Sequence, residues 1–275
     1  PPVQIANRRK RFTITGSAFT RCSSSYDGGS VYVSAGTITV SSSTVFDSAA
    51  ANSGGAFYTT NTTAIGSTTF SNCSAGQYGG AIYSFYNNIS VTSSSFSRCS
   101  AYLGGAIFFY YGTATITSSA FSDCIAGNGG AINCNDAGIL SVSSSTFSNC
   151  SANTGGAIMN FGSAMVRNNS VFSGCSAAGG GAVYSEGRVF AISRGRVYDC
   201  TADSLGGAIM SSGGDLIVSG VSFARCRAGS YGGAIHNTGT SATVTASSFR
   251  YCSAGSDGGA LHNAGTSATI RASLF

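Results

Sequence analysis

The sequence predicts an all-β protein: a right-handed parallel β-helix of about ten coils of 25–26 residues, forming a single domain over residues 1–275. Three observations support this prediction. A Gly-Gly pair recurs every 25 or 26 residues, a Phe recurs in phase with it, and each repeat has short β-branched stretches but no helical spacing. Hydrophobic residues make up 43% of the chain, which is enough to build a core, although only 8% of residues are charged.

The Gly-Gly pair is expected to mark one corner of each coil. Its first member is Gly28, Gly54, Gly79, Gly104, Gly129, Gly155, Gly180, Gly206, Gly232 or Gly258. Glycine permits the left-handed backbone that a sharp corner needs, and it lets neighbouring coils approach within backbone contact. Replacing Gly80 or Gly130 by Val should therefore disrupt folding, whereas Ser94, in a run of serines, is expected to be solvated.

The remaining apolar residues predict the strands. A β-branched residue follows each Gly-Gly-Ala, and a second one precedes the Phe marker by five positions. The Phe marker is Phe19, Phe46, Phe70, Phe96, Phe121, Phe147, Phe172, Phe223, Phe249 or Phe275, with Val197 in one coil. Stacking coils about 4.8 Å apart places equivalent residues in columns and gives a rod roughly 50 Å long. Right-handed coiling follows from the preference of parallel crossovers.

A cysteine column keeps step with the Phe marker. It comprises Cys22, Cys73, Cys99, Cys124, Cys150, Cys175, Cys200, Cys226 and Cys252, and Ala49 takes the place in the second coil. Neighbouring Cα atoms about 4.8 Å apart lie within the disulfide range. In-register side chains point the same way, however, which favours buried free thiols acting as small hydrophobes. Both states stay open, and the absence of accompanying His or carboxylate ligands argues against a metal ladder.

The motifs "GGAI" and "FxxC" together resemble the GGA[ILV] and FxxN repeats of the chlamydial polymorphic outer-membrane proteins. A broader likeness is to the pectate-lyase-like β-helix superfamily. The resemblance covers residues 3–275 and differs in one respect, because Cys replaces the Asn of the family's motif. It implies a β-helical, adhesin-like rod at a cell surface.

Composition and charge narrow the classes of partner. The net charge of +5 is spread thinly outside Arg8–Arg11, which argues against nucleic-acid binding. Arg8–Arg11 resembles a proprotein cleavage site, although a solvated turn is favoured. No apolar run is long enough to span a membrane. Ten cysteines and five N-x-S/T sequons indicate an extracellular or cell-surface glycoprotein. The candidate glycosylation sites are Asn61, Asn72, Asn88, Asn149 and Asn168.

An aromatic stripe is the clearest candidate for a binding surface. It follows the first strand of each coil through Tyr32, Tyr58, Tyr83, Phe108 and Tyr184. Alternation along a strand places it outward, where such rings stack on sugars, pack against a partner or stack on one another. The same column holds His236 and His262. No third ligand accompanies these histidines and their coils are near copies, so we expect no metal.

The nine acidic residues do not predict a catalytic centre. A β-helix lyase or glycosidase groups acids and bases in a groove, and such enzymes carry long inserted loops, whereas every coil here has 25 or 26 residues. We instead expect two structural charge pairs between neighbouring coils, Arg98 with Asp123 and Asp199 with Arg225. No catalytic residue and no cofactor is predicted.

The sequence therefore predicts an extracellular, non-enzymatic structural or adhesive rod. The alternatives are a carbohydrate-binding module that uses the aromatic stripe, and a β-helix polysaccharide lyase or glycosidase. The terminal coils carry no recognisable cap, so we expect either a longer parent chain or head-to-tail self-association into a filament. Surface glycans or a host or cell-surface partner are the other expected contacts.

Overall fold

Parallel strands alone form the regular structure of this protein. The computed structural model describes residues 3–275; Pro1, Pro2 and the side chains of residues 5–10 lie outside the description. The described residues form 39 strands and no helix, and each strand pairs in parallel with its equivalent in the next coil. The chain is thus an all-β solenoid of about ten coils, as the sequence predicts.

Each coil contributes four short strands to three sheets. Sheet A contains the first and second strands, which are continuous in the two N-terminal coils: Val3–Thr15, Val31–Ser41, Phe57–Thr59, Thr63–Gly66, Ile82–Phe85, Ile89–Thr92, Ile107–Tyr110, Thr113–Thr117, Ile132–Asn135, Ile139–Ser143, Ile158–Asn160, Ser163–Arg167, Val183–Ser185, Val189–Ser193, Ile209–Ser211, Asp215–Ser219, Ile235–Asn237, Ser241–Thr245, Leu261–Asn263 and Ser267–Arg271. The Arg8–Arg11 motif lies in Val3–Thr15, where the pairing shifts register between Ala6 and Arg11, rather than in the expected turn.

Sheets B and C complete the coil. Sheet B contains the third strands: Ala18–Thr20, Thr44–Phe46, Thr69–Ser71, Ser95–Ser97, Ala120–Ser122, Thr146–Ser148, Val171–Ser173, Arg196–Tyr198, Ser222–Ala224 and Ser248–Arg250. Sheet C contains the fourth strands: Ser23–Ser24, Ala49–Ala50, Ser74–Ala75, Ser100–Leu103, Ile125–Asn128, Ser176–Gly179, Thr201–Leu205, Arg227–Ala228 and Ser253–Ala254. Single bridges through Ser151 join the two halves of sheet C.

The core is a set of columns that run along the axis. Ile82 pairs with Ile107 in sheet A and Phe96 pairs with Phe121 in sheet B, and all four side chains are buried. The rings of Phe96 and Phe121 stack with centroids 4.8 Å apart and planes at 4°. The inward positions of all coils thus share one continuous hydrophobic core.

The Phe and Cys columns differ from the sequence prediction in the second coil. Val45, not Phe46, pairs with Phe19 and Phe70, and Phe46 is 42% exposed. The assignment of Ala49 to the Cys column is wrong by the same single residue. Ala49 pairs with Ser23 and Ser74, so Ser48 follows in the Cys position. The Ser48 hydroxyl is buried and hydrogen-bonds the hydroxyl of Ser30 at 2.7 Å, which explains how a polar side chain is accommodated there.

The Gly-Gly corner is a point of backbone contact between coils. The first Gly of every pair has a positive φ, 61° at Gly79. A Cβ on the second Gly would collide with the next coil: at Gly80 it would lie 2.1 Å from the carbonyl oxygen of Gly105. The predicted corner is therefore confirmed, with a left-handed turn at the first Gly and close approach at the second.

Two further corners use left-handed residues that are not glycine. One of these columns comprises Arg21, Asp47, Asn72, Arg98, Asp123, Asn149, Asp199, Arg225 and Tyr251, each with φ between 50° and 57° and each directly before the Cys position. A serine column follows the other turn, and its members are buried. The Ser94 hydroxyl accepts from the Thr68 amide at 3.2 Å and donates to the Thr92 carbonyl at 2.9 Å. The expectation that Ser94 is solvated is wrong, because its hydroxyl joins two coils.

Candidate functional site

The predicted aromatic stripe is a stack of rings packed on one another. Tyr32 and Tyr58 lie 4.8 Å apart with planes at 11°, Tyr58 and Tyr83 lie 4.9 Å apart, and Tyr83 and Phe108 lie 5.5 Å apart. The three tyrosines are half-buried, and Phe108 is only 2% exposed, so its predicted outward exposure is wrong. Tyr78 packs against Phe108 at 4.8 Å. The ring faces within the stack are therefore occupied by neighbouring rings.

Tyr184 is separated from this stack. Asn133 and Met159 occupy the two intervening coils of the column, and both are buried. The Tyr184 hydroxyl is in contact with Ser212 at 3.5 Å. Burial raises the pKa of Tyr58 to about 12, with the neighbouring Tyr32 as the next cause. The stripe is thus a structural stack in its first four coils, and Tyr184 forms no continuous surface with it.

The cysteine column forms a line of thiols inside the helix. All ten cysteines are free; Cys22 and Cys252 are half-buried and the others are buried. Each column thiol contacts a backbone carbonyl two residues before it, at 3.6 Å for Cys99 and 3.5 Å for Cys124. Hydrogen bonding to neighbouring thiols, followed by burial, raises the pKa of Cys99 well above its ordinary value. The end of the column differs, because hydrogen bonding with Cys226 lowers the pKa of Cys252 to about 7.

The thiols should therefore differ sharply in reactivity. With a water-soluble aromatic disulfide reagent at neutral pH, we expect only Cys22 and Cys252 to react in the native protein, because a thiol must be exposed and ionised to attack. Reaction of Cys252 should rise as the pH passes about 7. In denaturant all ten cysteines should react. A lower total without prior reduction would show that part of the column is oxidised to disulfides.

Cys134 lies outside this column. It pairs with Phe109 and Asn160 on the inward side of sheet A and is fully buried. Burial raises the pKa of its thiol to about 12. Cys134 is therefore a core residue without a reactive neighbour.

The two histidines form a stacked pair. His236 and His262 have ring centroids 4.9 Å apart, planes at 5° and a 3.1 Å separation between their Nδ1 atoms. Tyr231 packs on His262 at 4.9 Å. Within residues 3–275, no group of three or more His, Cys, Asp or Glu side chains is placed to hold a metal ion. Burial, followed by the neighbouring His262, lowers the pKa of His236 to about 4.

This histidine pair makes stability depend on pH. The folded pKa of about 4 lies below the ordinary 6.5 of His236, so the unfolded chain binds more protons between these values. Stability contributed by neutral His236 is complete above about pH 6.5 and is lost as the pH falls towards 4. We expect His236→Asn, which introduces the residue found at Asn133 in the same column, to reduce this acid sensitivity. Melting temperatures of both proteins across this range test it, and equal slopes would contradict the assignment.

One of the two predicted charge pairs is present. Arg225 contacts the Asp199 carboxylate through Nε at 2.7 Å and through its terminal nitrogen at 2.8 Å. The pairing of Arg98 with Asp123 is wrong for the described residues, where Asp123 instead accepts from Asn149 at 3.4 Å. Both contacts lie on an exposed turn, so neither contributes more than a small fraction of the stability.

A cleft that the sequence analysis did not identify lies at the corner between the two strands of sheet A. Leu140 follows Cys134 by six positions, whereas their partners Ala164 and Asn160 are only four apart. The longer corner projects beyond the shorter one and leaves a cleft of about 540 Å³. Its lining residues are Tyr111, Asp136, Ala137, Ile139, Phe161, Gly162, Ser163 and Arg188. Counting residues between inward columns, rather than between repeats, would have revealed this step.

An exposed aromatic cluster borders the cleft. Tyr86 and Tyr111 stack at 4.8 Å with planes at 21°, and Tyr110 packs edge-on against Tyr111 at 4.6 Å. Tyr86 is 57% exposed. Tyr86 and Tyr111 have φ values of 59° and 56°, a left-handed backbone that is rare for bulky residues. Hydrogen bonding to the carboxylate of Asp136 is the largest cause of the raised pKa of Tyr110.

The five sequons occupy turns or strand ends. The side chains of Asn72, Asn88, Asn149 and Asn168 are exposed, and that of Asn61 is half-buried. In a eukaryotic source we expect glycans on Asn72 and Asn149, since both lie on the left-handed turn that faces solvent. Intact mass before and after enzymatic deglycosylation tests this, and an unchanged mass would contradict it.

The chain has no similarity that assigns it to a family. No protein-family model, curated protein or solved structure matches it. The likeness to chlamydial outer-membrane repeats therefore stays an expectation based on the two motifs. Residues 3–275 contain no helix long and apolar enough to cross a membrane.

Proposed function

We propose that this protein is an extracellular, non-enzymatic rod that acts as a structural or adhesive element. The observation that carries the proposal is the constancy of the coil: the same inward columns repeat from one end of the core to the other, and only short turns vary. A stiff stack of this kind separates its ends and presents its side surfaces, which suits a spacer or an adhesin.

The glycan-binding alternative is less well supported at the stripe of Tyr32, Tyr58, Tyr83 and Phe108. A sugar stacks on a free ring face, and in this stack neighbouring rings cover those faces. The lyase or glycosidase alternative lacks the inserted loops and grouped acids on which it depends. Self-association end to end stays a prediction, which light scattering as a function of protein concentration tests.

Adhesion and catalysis can be measured on the same preparation. Beads coated with the protein should attach to cultured cells or to one another more than beads coated with a β-sheet protein of similar size and charge. Incubation with a panel of plant, bacterial and animal polysaccharides should release no reducing ends or unsaturated products. Absence of attachment would overturn the adhesive role, and product formation would overturn the non-enzymatic role.

A further inference from the structure

We propose that the corner cleft lined by Tyr111, Asp136, Phe161 and Arg188 is a saccharide-binding site. This inference deepens the proposed adhesive function and rests on it only for biological purpose, because binding to the cleft can be measured without cells. The cleft volume of about 540 Å³ falls within the range of small-ligand sites.

The cleft has four successive coils as its walls and floor. Tyr111 belongs to the first of these coils, Asp136 and Ile139 to the second, Phe161 and Ser163 to the third and Arg188 to the fourth. At about 4.8 Å per coil, the site extends roughly 14 Å along the axis. The short corner at Phe161–Ser163 is the floor, and the longer corners before and after it are the walls.

Tyr111 provides the ring face that the main aromatic stack lacks. Tyr86, in the preceding coil, covers one face of Tyr111. Because the stack runs along the axis and Tyr111 lines the cleft in the direction of the next coil, its second face points to the cleft. A free aromatic face held by a rigid neighbour packs well against the C–H face of a sugar ring.

Two charged groups of the cleft have unused hydrogen-bonding capacity. Asp136 and Arg188 are exposed, and neither forms an ion pair within the described part of the chain. A carboxylate accepts and a guanidinium only donates, so together they match neighbouring sugar hydroxyls, which do both. A phosphate would be repelled by Asp136, and an apolar ligand would bury both charges without partners. A saccharide satisfies all three groups at once.

The test uses an array of immobilised neutral and acidic oligosaccharides. Wild-type protein should bind one structural group of glycans. Tyr111→Ala should weaken that binding about tenfold or more, equivalent to a stacking contact. Asp136→Asn should weaken it by a similar factor. Asn tolerates the left-handed backbone at this position, so the fold is retained. Arg188→Gln separates two sources of ligand, because it should affect acidic sugars more than neutral ones.

The matched control is Tyr251→Ala. Tyr251 has a φ of 54°, close to that of Tyr111, and it is 85% exposed on a different corner. Its loss should leave glycan binding unchanged. Failure of the wild-type protein to bind any glycan, or equal binding by wild-type and Asp136→Asn proteins, would overturn the site. If coated beads still attach to cells in that case, the adhesive role remains and its surface lies elsewhere.

Discussion

Gly80→Ala should destabilise the protein by about 3 kcal/mol or more, the upper part of the range for overpacking. The new methyl carbon would lie 2.1 Å from the carbonyl oxygen of Gly105 and 2.4 Å from that of Ser100. Both contacts are with backbone, which cannot rotate away as a side chain does. The two coils must separate locally, which weakens the hydrogen bond from the Gly80 amide to Gly104. Thermal unfolding followed by far-ultraviolet circular dichroism should show a decrease of roughly 6–12 °C.

Gly66→Ala is the matched control. Gly66 ends the strand Thr63–Gly66, and a Cβ there would meet no atom within 4 Å. The same substitution should therefore leave stability unchanged or raise it by a few tenths of a kcal/mol through reduced freedom of the unfolded chain. Equal melting temperatures for Gly80→Ala and Gly66→Ala would show that the corner does not bring the coils into backbone contact.

The coil could be predicted from sequence because stacking repeats the same local requirement in every turn. Each second Gly meets the carbonyl of the following coil, so its place cannot drift. The Cys and Phe columns obey the same logic, except in the second coil. There the spacing of Phe46 suggested the wrong residue, because Val45 fills the core equally well and the Phe marker is only one position away. Motif phase alone cannot distinguish two adjacent apolar residues.

The cleft could not be predicted from the repeat length. The corners at Asp136 and at Gly162 differ by two residues, yet both coils keep a length of 25 or 26 because other turns compensate. Whether a projecting corner leaves a usable cleft depends on side chains from four coils. Burial of the serine column was missed for a related reason. The Ser94 hydroxyl is satisfied by the backbone of its own coil and of the preceding one, and composition does not report those partners.

Phe121→Ala should be the most damaging substitution in the core, at about 3–5 kcal/mol. Phe121 is fully buried, and its ring stacks on Phe96 at 4.8 Å and on Phe147 at 4.9 Å. Truncation removes both contacts, and the flanking coils cannot close the gap, because the backbone ladder holds them at a fixed spacing. A urea titration should show a large decrease in the midpoint.

Phe46→Ala separates this packing effect from the loss of any phenylalanine on sheet B. Phe46 is 42% exposed, since Val45 occupies its place in the column. Its truncation should change stability by no more than about 0.5 kcal/mol, as for other surface positions. A large loss in Phe46→Ala together with a small loss in Val45→Ala would place Phe46 in the core and reverse the register of the second coil. The pair of variants thus measures both the strength of the aromatic column and the point at which the chain enters it.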